Sequence, residues 1–461
     1  MRIAEQAVSL LSVPFDLERR RSNDYPVVMR ILLVNPPIHD FTGYDFWLKP
    51  YGLLSAAGML RGRAELVLFD FLDRRTKTDA FGRGPFPHMR IPRPTALSDI
   101  PRHFYRFGRP RDDFRAFLAS SDPFDFALIQ TVMTWWYPGV AEAICDIRSA
   151  SPGTCIVLGG VYATLCARHA RTLGADFVLS GTDPSRLESI LGLPLDRSQP
   201  PFWEGYKDLM QGACATGVLR LTDGCPFKCT YCSVPQVYPE FMPRPLDKSL
   251  RELELLISMG IRNIAFYDDA LLCKSDEILL PFLREASARD MRASFHTPNA
   301  LHARYINPRI AETLVASGFR TFYLGYESAA EALQQSTGGK VSDEHLAAAV
   351  KNLLAAGADP QNITAYVLAG HPVSTPAEIE AAMRFVHSLG IRITLSDFSP
   401  VPGAPDAEAA TRLGDMSEPL NHNKTAWPIR LLGNETVNRL KDLCRLLNGA
   451  LRAERTPSDN K

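Results

Sequence analysis

Apolar residues along this chain gather in short β-branched runs, separated by segments in which they recur at helical spacing. Residues 27–35 (VVMRILLVN) are almost continuously apolar and are stopped by Pro36 and Pro37, the pattern of a strand buried on both faces. Similar runs at 65–69, 126–131, 154–158 and 176–179 predict further strands, and 140–149 and 163–173 predict helices between them. Strands alternating with helices predict a doubly wound, Rossmann-like α/β unit over residues 27–200. Residues 76–111 interrupt it with Pro, Arg and Gly and little periodicity, which predicts an irregular inserted surface loop. Ahead of the unit, residues 1–26 predict a short lead helix: Glu5 precedes its apolar stretch and no small-residue cleavage site follows.

A second alternating series begins near Gly212. Its strands are predicted at 216–221, 263–267, 293–296, 321–324, 363–368 and 391–395, and its helices at 248–259, 276–288, 308–317, 343–356 and 376–389. A right-handed βα series of this kind closes into a partial (β/α)6, TIM-like barrel over residues 212–405, with its site at the C-terminal ends of the strands. Residues 406–461 predict a short helical extension, helical around 436–451, that frays in TPSDNK.

Composition narrows the class without naming it. The 461 residues exceed the ~150 of a typical domain, in keeping with two or three packed units. No apolar run approaches the ~18 residues of a membrane span. A formal net charge of +0 gives no footprint for nucleic acid or an anionic membrane. Nine cysteines, an odd number without a paired framework, point to a reducing, cytoplasmic compartment and away from disulfides. Cys145, Cys155, Cys166, Cys214, Cys273 and Cys444 are scattered, and most fit buried thiols packing as small hydrophobes.

The other cysteines carry chemistry. Cys225, Cys229 and Cys232 form a Cys-x3-Cys-x2-Cys run directly after the first strand of the barrel series. Thiolates on one loop can converge on an iron–sulfur cube, and with no fourth cysteine nearby one iron keeps an open position for a small molecule. The alternatives are a zinc knot or chance; structural zinc takes four closed ligands, usually in two pairs, and no second pair or His-x3-His is present.

This spacing and placement resemble the radical S-adenosylmethionine superfamily over residues 212–405. The resemblance implies a four-iron four-sulfur cluster, S-adenosylmethionine chelated through its amino and carboxylate groups at the open iron, a 5′-deoxyadenosyl radical, and a reductant such as flavodoxin or ferredoxin. It also implies roles for single residues. Tyr231 matches an aromatic set beside the adenine, with loop packing as the alternative. Tyr267-Asp268-Asp269 stands where the family commonly has Gly-Gly-Glu, so Asp268 or Asp269 would take the cofactor ammonium, capping of the next helix being the alternative for Asp269. Glu327 and Ser328 match positions contacting the ribose and methionine parts, and Gly370, with His371 and Pro372, matches a turn shaping the adenine pocket, as does the 399–403 segment.

The N-terminal unit carries Asn35-Pro36-Pro37, Thr131-Val132-Met133-Thr134, Gly159-Gly160 and Ser180-Gly181 at its strand ends, where ligands of open α/β sheets bind. In this order the segments resemble the cobalamin-binding domain that precedes the barrel in a subgroup of radical enzymes, which places cobalamin near Asn35, Thr131, Val132, Gly159, Gly160, Ser180 and Gly181. The Asp-x-His-x-x-Gly motif is absent; the nearest string, Asp343-Glu344-His345, lies on a barrel helix. Ser180-Gly181-Thr182-Asp183 replaces the subgroup's Gly-Glu-Gly-Glu. Trp135, Trp136 and Tyr137 either cover a cobalt face or pack in the core. The expected function is a cobalamin-dependent methyltransferase acting on an unactivated carbon. The alternatives are a radical rearrangement, ring contraction or cyclisation, and an iron–sulfur electron-transfer or sensing protein without turnover.

Overall fold

The computed structural model describes residues 28–206, 216–328, 334 and 341–453. The lead helix, Gly212, Cys214 and the terminal TPSDNK lie outside the described residues.

Five parallel strands form the first sheet: β1 (Arg30–Asn35), β2 (Glu65–Asp70), β3 (Phe126–Thr131), β4 (Cys155–Gly160) and β5 (Phe177–Leu179), in the spatial order β5-β4-β3-β1-β2. The apolar run of β1 serves two cores at once: Leu32 and Val34 pack on one face, Ile31 and Leu33 on the other. This is why the run shows no alternation. The helix expected at 163–173 is broken into Val161–Leu165, Ala167–Ala170 and a 3-10 turn, Arg171–Leu173.

Residues 76–111 are not an irregular loop. His88–Ile91 and Phe104–Phe107 join Ile38–Asp40 in a three-stranded antiparallel sheet, and Phe86, Leu97, Ile100 and Phe104 are buried beneath it. The strands are short and flanked by proline, so no period could develop in the sequence.

The second sheet has six parallel strands in chain order: β6 (Thr216–Leu219), β7 (Asn263–Phe266), β8 (Ser294–His302), β9 (Phe319–Glu327), β10 (Ile363–Ala369) and β11 (Arg392–Asp397). All pairings are parallel, with irregularities in β8 and β9 where the strands run past their predicted ends. On the face away from the helices, the barrel is filled by the N-terminal part of the chain. Trp47 stacks on His296 at 4.5 Å, and Arg83 reaches the Tyr323 hydroxyl at 2.7 Å while lying over the rings of Phe46, Trp47 and Phe81. Burial pushes His296 down to about 3, so its ring stays neutral in this stack.

The C-terminal region does more than extend the fold. Asn448, on the helix Asn434–Ala453, accepts from the Ile393 amide and donates to its carbonyl, both at 2.9 Å, which covers the free edge of β11. Asn423 donates to the fully buried Asp40 at 2.9 Å, the carboxylate that also takes the indole N–H groups of Trp135 and Trp136 at 2.8 Å. Trp135 is therefore a core residue, and Trp136, half-buried, packs against the same core. Cys155, Cys166 and Cys444 are buried as expected, but Cys145 is exposed. His345 closes a capping box with Ser342, which accounts for the Asp-Glu-His string. No helix among the described residues is long and apolar enough to cross a membrane.

Candidate functional site

The cysteine loop leaves β6 through a turn that only glycine permits: Gly224 has φ 78°, and a Cβ there would lie 2.3 Å from the Glu240 carbonyl oxygen. Its start is pinned by Asp268, 2% exposed, whose carboxylate accepts from the amides of Leu221 and Thr222 and the Thr222 hydroxyl at 2.7 to 3.2 Å. Within the loop Cys229 is buried and Cys225 and Cys232 are half-buried. The Cys232 amide donates to the Cys229 carbonyl at 3.1 Å, and the Val234 amide donates to the Cys232 sulfur at 3.4 Å. Burial pushes the Cys232 thiol up to about 11, and the neighbouring Cys229, Asp269 and Cys225 act in the same direction. The three thiols and Asp269 thus share one desolvated neighbourhood. Such thiols ionise only against a strong local positive charge. Among the described residues no three of His, Cys, Asp or Glu are gathered closely enough to hold a single metal ion, Cys225, Cys229 and Cys232 included.

Side chains from four strand ends surround that loop. Tyr231 is desolvated and hydrogen-bonds both Glu327 and Cys229, which holds its hydroxyl protonated well above the ordinary range. Glu327 sits at φ 72°, a left-handed conformation unusual for its type, beside a register shift in β9 that turns it toward the loop. Asp269 is ion-paired with the buried Arg220 at 3.6 Å, and Arg220 also bonds the Tyr238 hydroxyl at 2.8 Å. Gly370, at φ 79°, presents its carbonyl to the Trp427 indole at 2.7 Å. Asp406 clasps the loop from the C-terminal side, accepting from Thr230 at 2.6 Å and pairing with His371 at 2.8 Å. Ser328 is buried at the end of β9.

Between the two sheets lies a cavity of about 580 Å³. Its N-terminal wall is the C-terminal ends of β3, β4 and β5, through Gln130, Thr131, Val132, Gly159, Gly160 and Gly181; its barrel wall is Arg220, Asp223, Tyr238, Arg244 and Tyr267. Gly159 opens into it: a Cβ there would touch nothing within 4 Å. Gly160 differs, since φ is 116° and a Cβ would lie 2.1 Å from the Thr131 carbonyl oxygen. The Thr131 hydroxyl is itself used internally, donating to Gly159 O and accepting from the Ala163 amide, both at 3.0 Å.

The predicted residues therefore divide. Thr131, Val132, Gly159, Gly160 and Gly181 reach the cavity wall; Asn35 and Ser180 do not line it. Asn35 is buried and donates to Asp70 at 2.7 Å, and Ser180 donates to the Ala163 carbonyl at 3.1 Å. Asp268 is likewise removed from the cofactor set, because the loop's own donors occupy both of its oxygens. Arg220, Arg244 and Asp406 were not singled out, nor was the bond from His371 to Asp406. Their partners are distant in sequence, as in the 35-residue separation of His371 and Asp406, and no local pattern marks them.

Residues 219–386 match the Radical SAM superfamily. The ribosomal protein uS12 methylthiotransferase RimO of Xanthobacter autotrophicus is 28% identical over 256 residues, covering 50% of this chain and 56% of that protein. An uncharacterized methyltransferase of Pyrococcus horikoshii, PH0819, is 26% identical over 236 residues, 50% of each. The chain spans from about a fifth to just over half the length of the curated relatives it matches. Among solved structures, the radical S-adenosylmethionine methyltransferase TsrM from Kitasatospora setae, with cobalamin and a [4Fe-4S] cluster bound, superposes with a TM-score of 0.65 at 15% identity, covering 90% of this chain and 91% of that one. The cobalamin-dependent enzyme OxsB gives 0.57 at 12% identity, covering 91% and 61%. Both the Rossmann-like sheet and the partial barrel are thus a known two-unit fold.

Proposed function

We propose that this chain, whose residues 219–386 match the Radical SAM superfamily, is a cobalamin-dependent methyltransferase acting on an unactivated carbon. The observation that carries this reading is the cavity itself, walled on one side by the glycine-bearing strand ends of the N-terminal sheet and on the other by residues adjoining the cysteine loop. Bound together, a four-iron four-sulfur cluster with S-adenosylmethionine supplies a hydrogen-abstracting radical, and cobalamin supplies methyl transfer.

The chain's own residues divide that work. Cys225, Cys229 and Cys232 ligate the cluster, and the Asp406 clasp and the Tyr231–Glu327 contact hold their loop in one shape. Asp269, ion-paired with Arg220, accepts from the ammonium of S-adenosylmethionine. Gly159 leaves room for cobalamin, while Thr131 and Gly160 shape the backbone beneath it. Methyl transfer is preferred to the methylthio transfer of the RimO relatives because those matches cover at most half of this chain, whereas TsrM superposes on both units. We place the enzyme in the cytoplasm with a flavodoxin or ferredoxin as reductant.

The test is product analysis under anaerobic conditions, with iron, sulfide and hydroxocobalamin reconstituted, a low-potential reductant such as reduced flavodoxin supplied in excess to reduce both cobalt and cluster, and S-adenosylmethionine deuterated at its methyl group. Before any substrate is added, S-adenosylhomocysteine should form once per bound cobalamin and 5′-deoxyadenosine slowly. With substrate both should rise together and deuterium should enter the product. Deoxyadenosine alone, with no homocysteine product, sinks methylation and leaves rearrangement or cyclisation.

A further inference from the structure

The cysteine loop is covered on most sides. Thr230 is tied to Asp406, Tyr231 packs against the cluster of Phe398 and Trp427, and Asp223 faces the cavity between the sheets. Between Cys225 and Cys229, however, Pro226 and Lys228 are exposed, so this edge stands within one residue of solvent. A collar of rings surrounds it: Phe227 lies 4.7 Å from His302 and 6.3 Å from Tyr305, and the Arg304 guanidinium lies 5.5 Å over the Tyr305 ring. Arg304 is also exposed, and neither it nor Lys228 is in an ion pair among the described residues.

A cationic, aromatic surface directly over a redox group suits an acidic electron-transfer protein. Unpaired cations raise the encounter rate with an anionic partner, and the half-buried rings of Phe227 and Tyr305 supply the apolar contact that docking interfaces favour. We propose that Phe227, Lys228, Arg304 and Tyr305 form the docking surface for an acidic one-electron carrier protein, which loses one electron as the cluster gains it. This rests on the cluster reading above.

The probe is a flavodoxin of strongly negative net charge. Its dissociation constant is measured by titration calorimetry at low and at molar salt, with iron-loaded and iron-free protein. The Lys228→Glu/Arg304→Glu pair should weaken binding at low salt by ~10-fold or more, the lower end of what electrostatic steering supplies. Screening at molar salt should erase the difference. The neutral Lys228→Gln/Arg304→Gln pair should fall between, which separates charge from misfolding. Reduction of the cluster by the small cationic donor methyl viologen should not be slowed in either variant. Unchanged flavodoxin affinity in the reversal pair, or an equal loss at molar salt, overturns the assignment. A protein that holds no iron fails the methyl viologen arm instead, which is the failure of the cluster reading, while the binding arm on iron-free protein still decides the docking surface.

Discussion

Replacing Gly159 and its neighbour Gly160 should give opposite outcomes, although the residues are adjacent. Gly159 lines the 580 Å³ cavity and a Cβ there meets no atom within 4 Å, so Gly159→Trp points its indole into empty space. The fold should tolerate this at the ~0.5 kcal/mol scale of a substitution away from packed contacts. An indole carries ~150–250 Å² of surface and occupies much of the room in which a large cofactor must sit. Cobalamin affinity should therefore fall at least ~100-fold, or roughly 3 kcal/mol. Gly160→Ala is the converse. Its φ of 116° and the 2.1 Å approach to the Thr131 carbonyl oxygen force the backbone of β3 and β4 apart. That strain costs about 1–3 kcal/mol before any repacking. The assay reconstitutes both variants with hydroxocobalamin, passes them through gel filtration, and reads cobalt, iron and thermal midpoint on the same fractions. Gly159→Trp should lose cobalt with iron and midpoint at wild-type values; Gly160→Ala should lower the midpoint by several degrees. Full cobalt retention in Gly159→Trp refutes the placement of cobalamin in this cavity, and joint loss of cobalt and iron refutes the separation of the two sites.

The remaining predictions concern the barrel. Asp268→Ala strips the acceptor from the Leu221 and Thr222 donors and should destabilise the fold by about 1–3 kcal/mol or more, with poor iron retention, whereas Asp269→Asn should keep iron and weaken S-adenosylmethionine binding in equilibrium titration. Glu252 is fully buried, and burial lifts its carboxyl from 4.5 to about 7 against the opposing Arg244. Between those values the folded chain holds a proton that the unfolded chain has released, so stability should fall as pH rises through the window, by up to ~3 kcal/mol at ~1.36 kcal/mol per unit. Thermal melts in steps of pH should show this slope, and Glu252→Gln should flatten it.

Both parallel sheets were legible because a strand buried on two faces must be apolar throughout, as the 27–35 and 126–131 runs are. The barrel strands were placed correctly but ended too early at β8 and β9, where irregular pairing carries Asn299 and Glu327 beyond the apolar run. The antiparallel sheet that 76–111 forms with Ile38–Asp40 was not legible, since its strands of three or four residues are too short to show a period. Polar roles were the least legible. Asp268 and Asp269 are adjacent in the turn just beyond the end of β7. One is spent on the loop's backbone and the other faces the cysteines, a difference set by partners such as Leu221 and Arg220 that are nearly fifty residues away.

The departure from Gly-Gly-Glu at the end of β7 follows from how the two units are joined. The Tyr267 hydroxyl donates to the Trp47 carbonyl at 2.5 Å and accepts from the Lys49 amide at 3.0 Å, so the residue that the resemblance matched to a glycine bonds the N-terminal chain to the barrel. Beside it Tyr51 donates to Glu252 at 2.9 Å, Trp203 donates to the same carboxylate at 3.2 Å, and Arg83 reaches Tyr323. Tyr51, Lys49 and Tyr267 all line the cavity, so the bonds that fasten the units also form its wall. With Tyr267 committed to the interface and Asp268 to the cysteine loop, Asp269 is the residue of the three whose carboxylate faces the thiols. A cavity framed in this way holds its two walls in fixed register. On the proposed function, reaction between a group seated on the β3 and β4 ends and one generated over Cys225, Cys229 and Cys232 would depend on that register, because misplacement by about 1 Å can cost ~100-fold in rate.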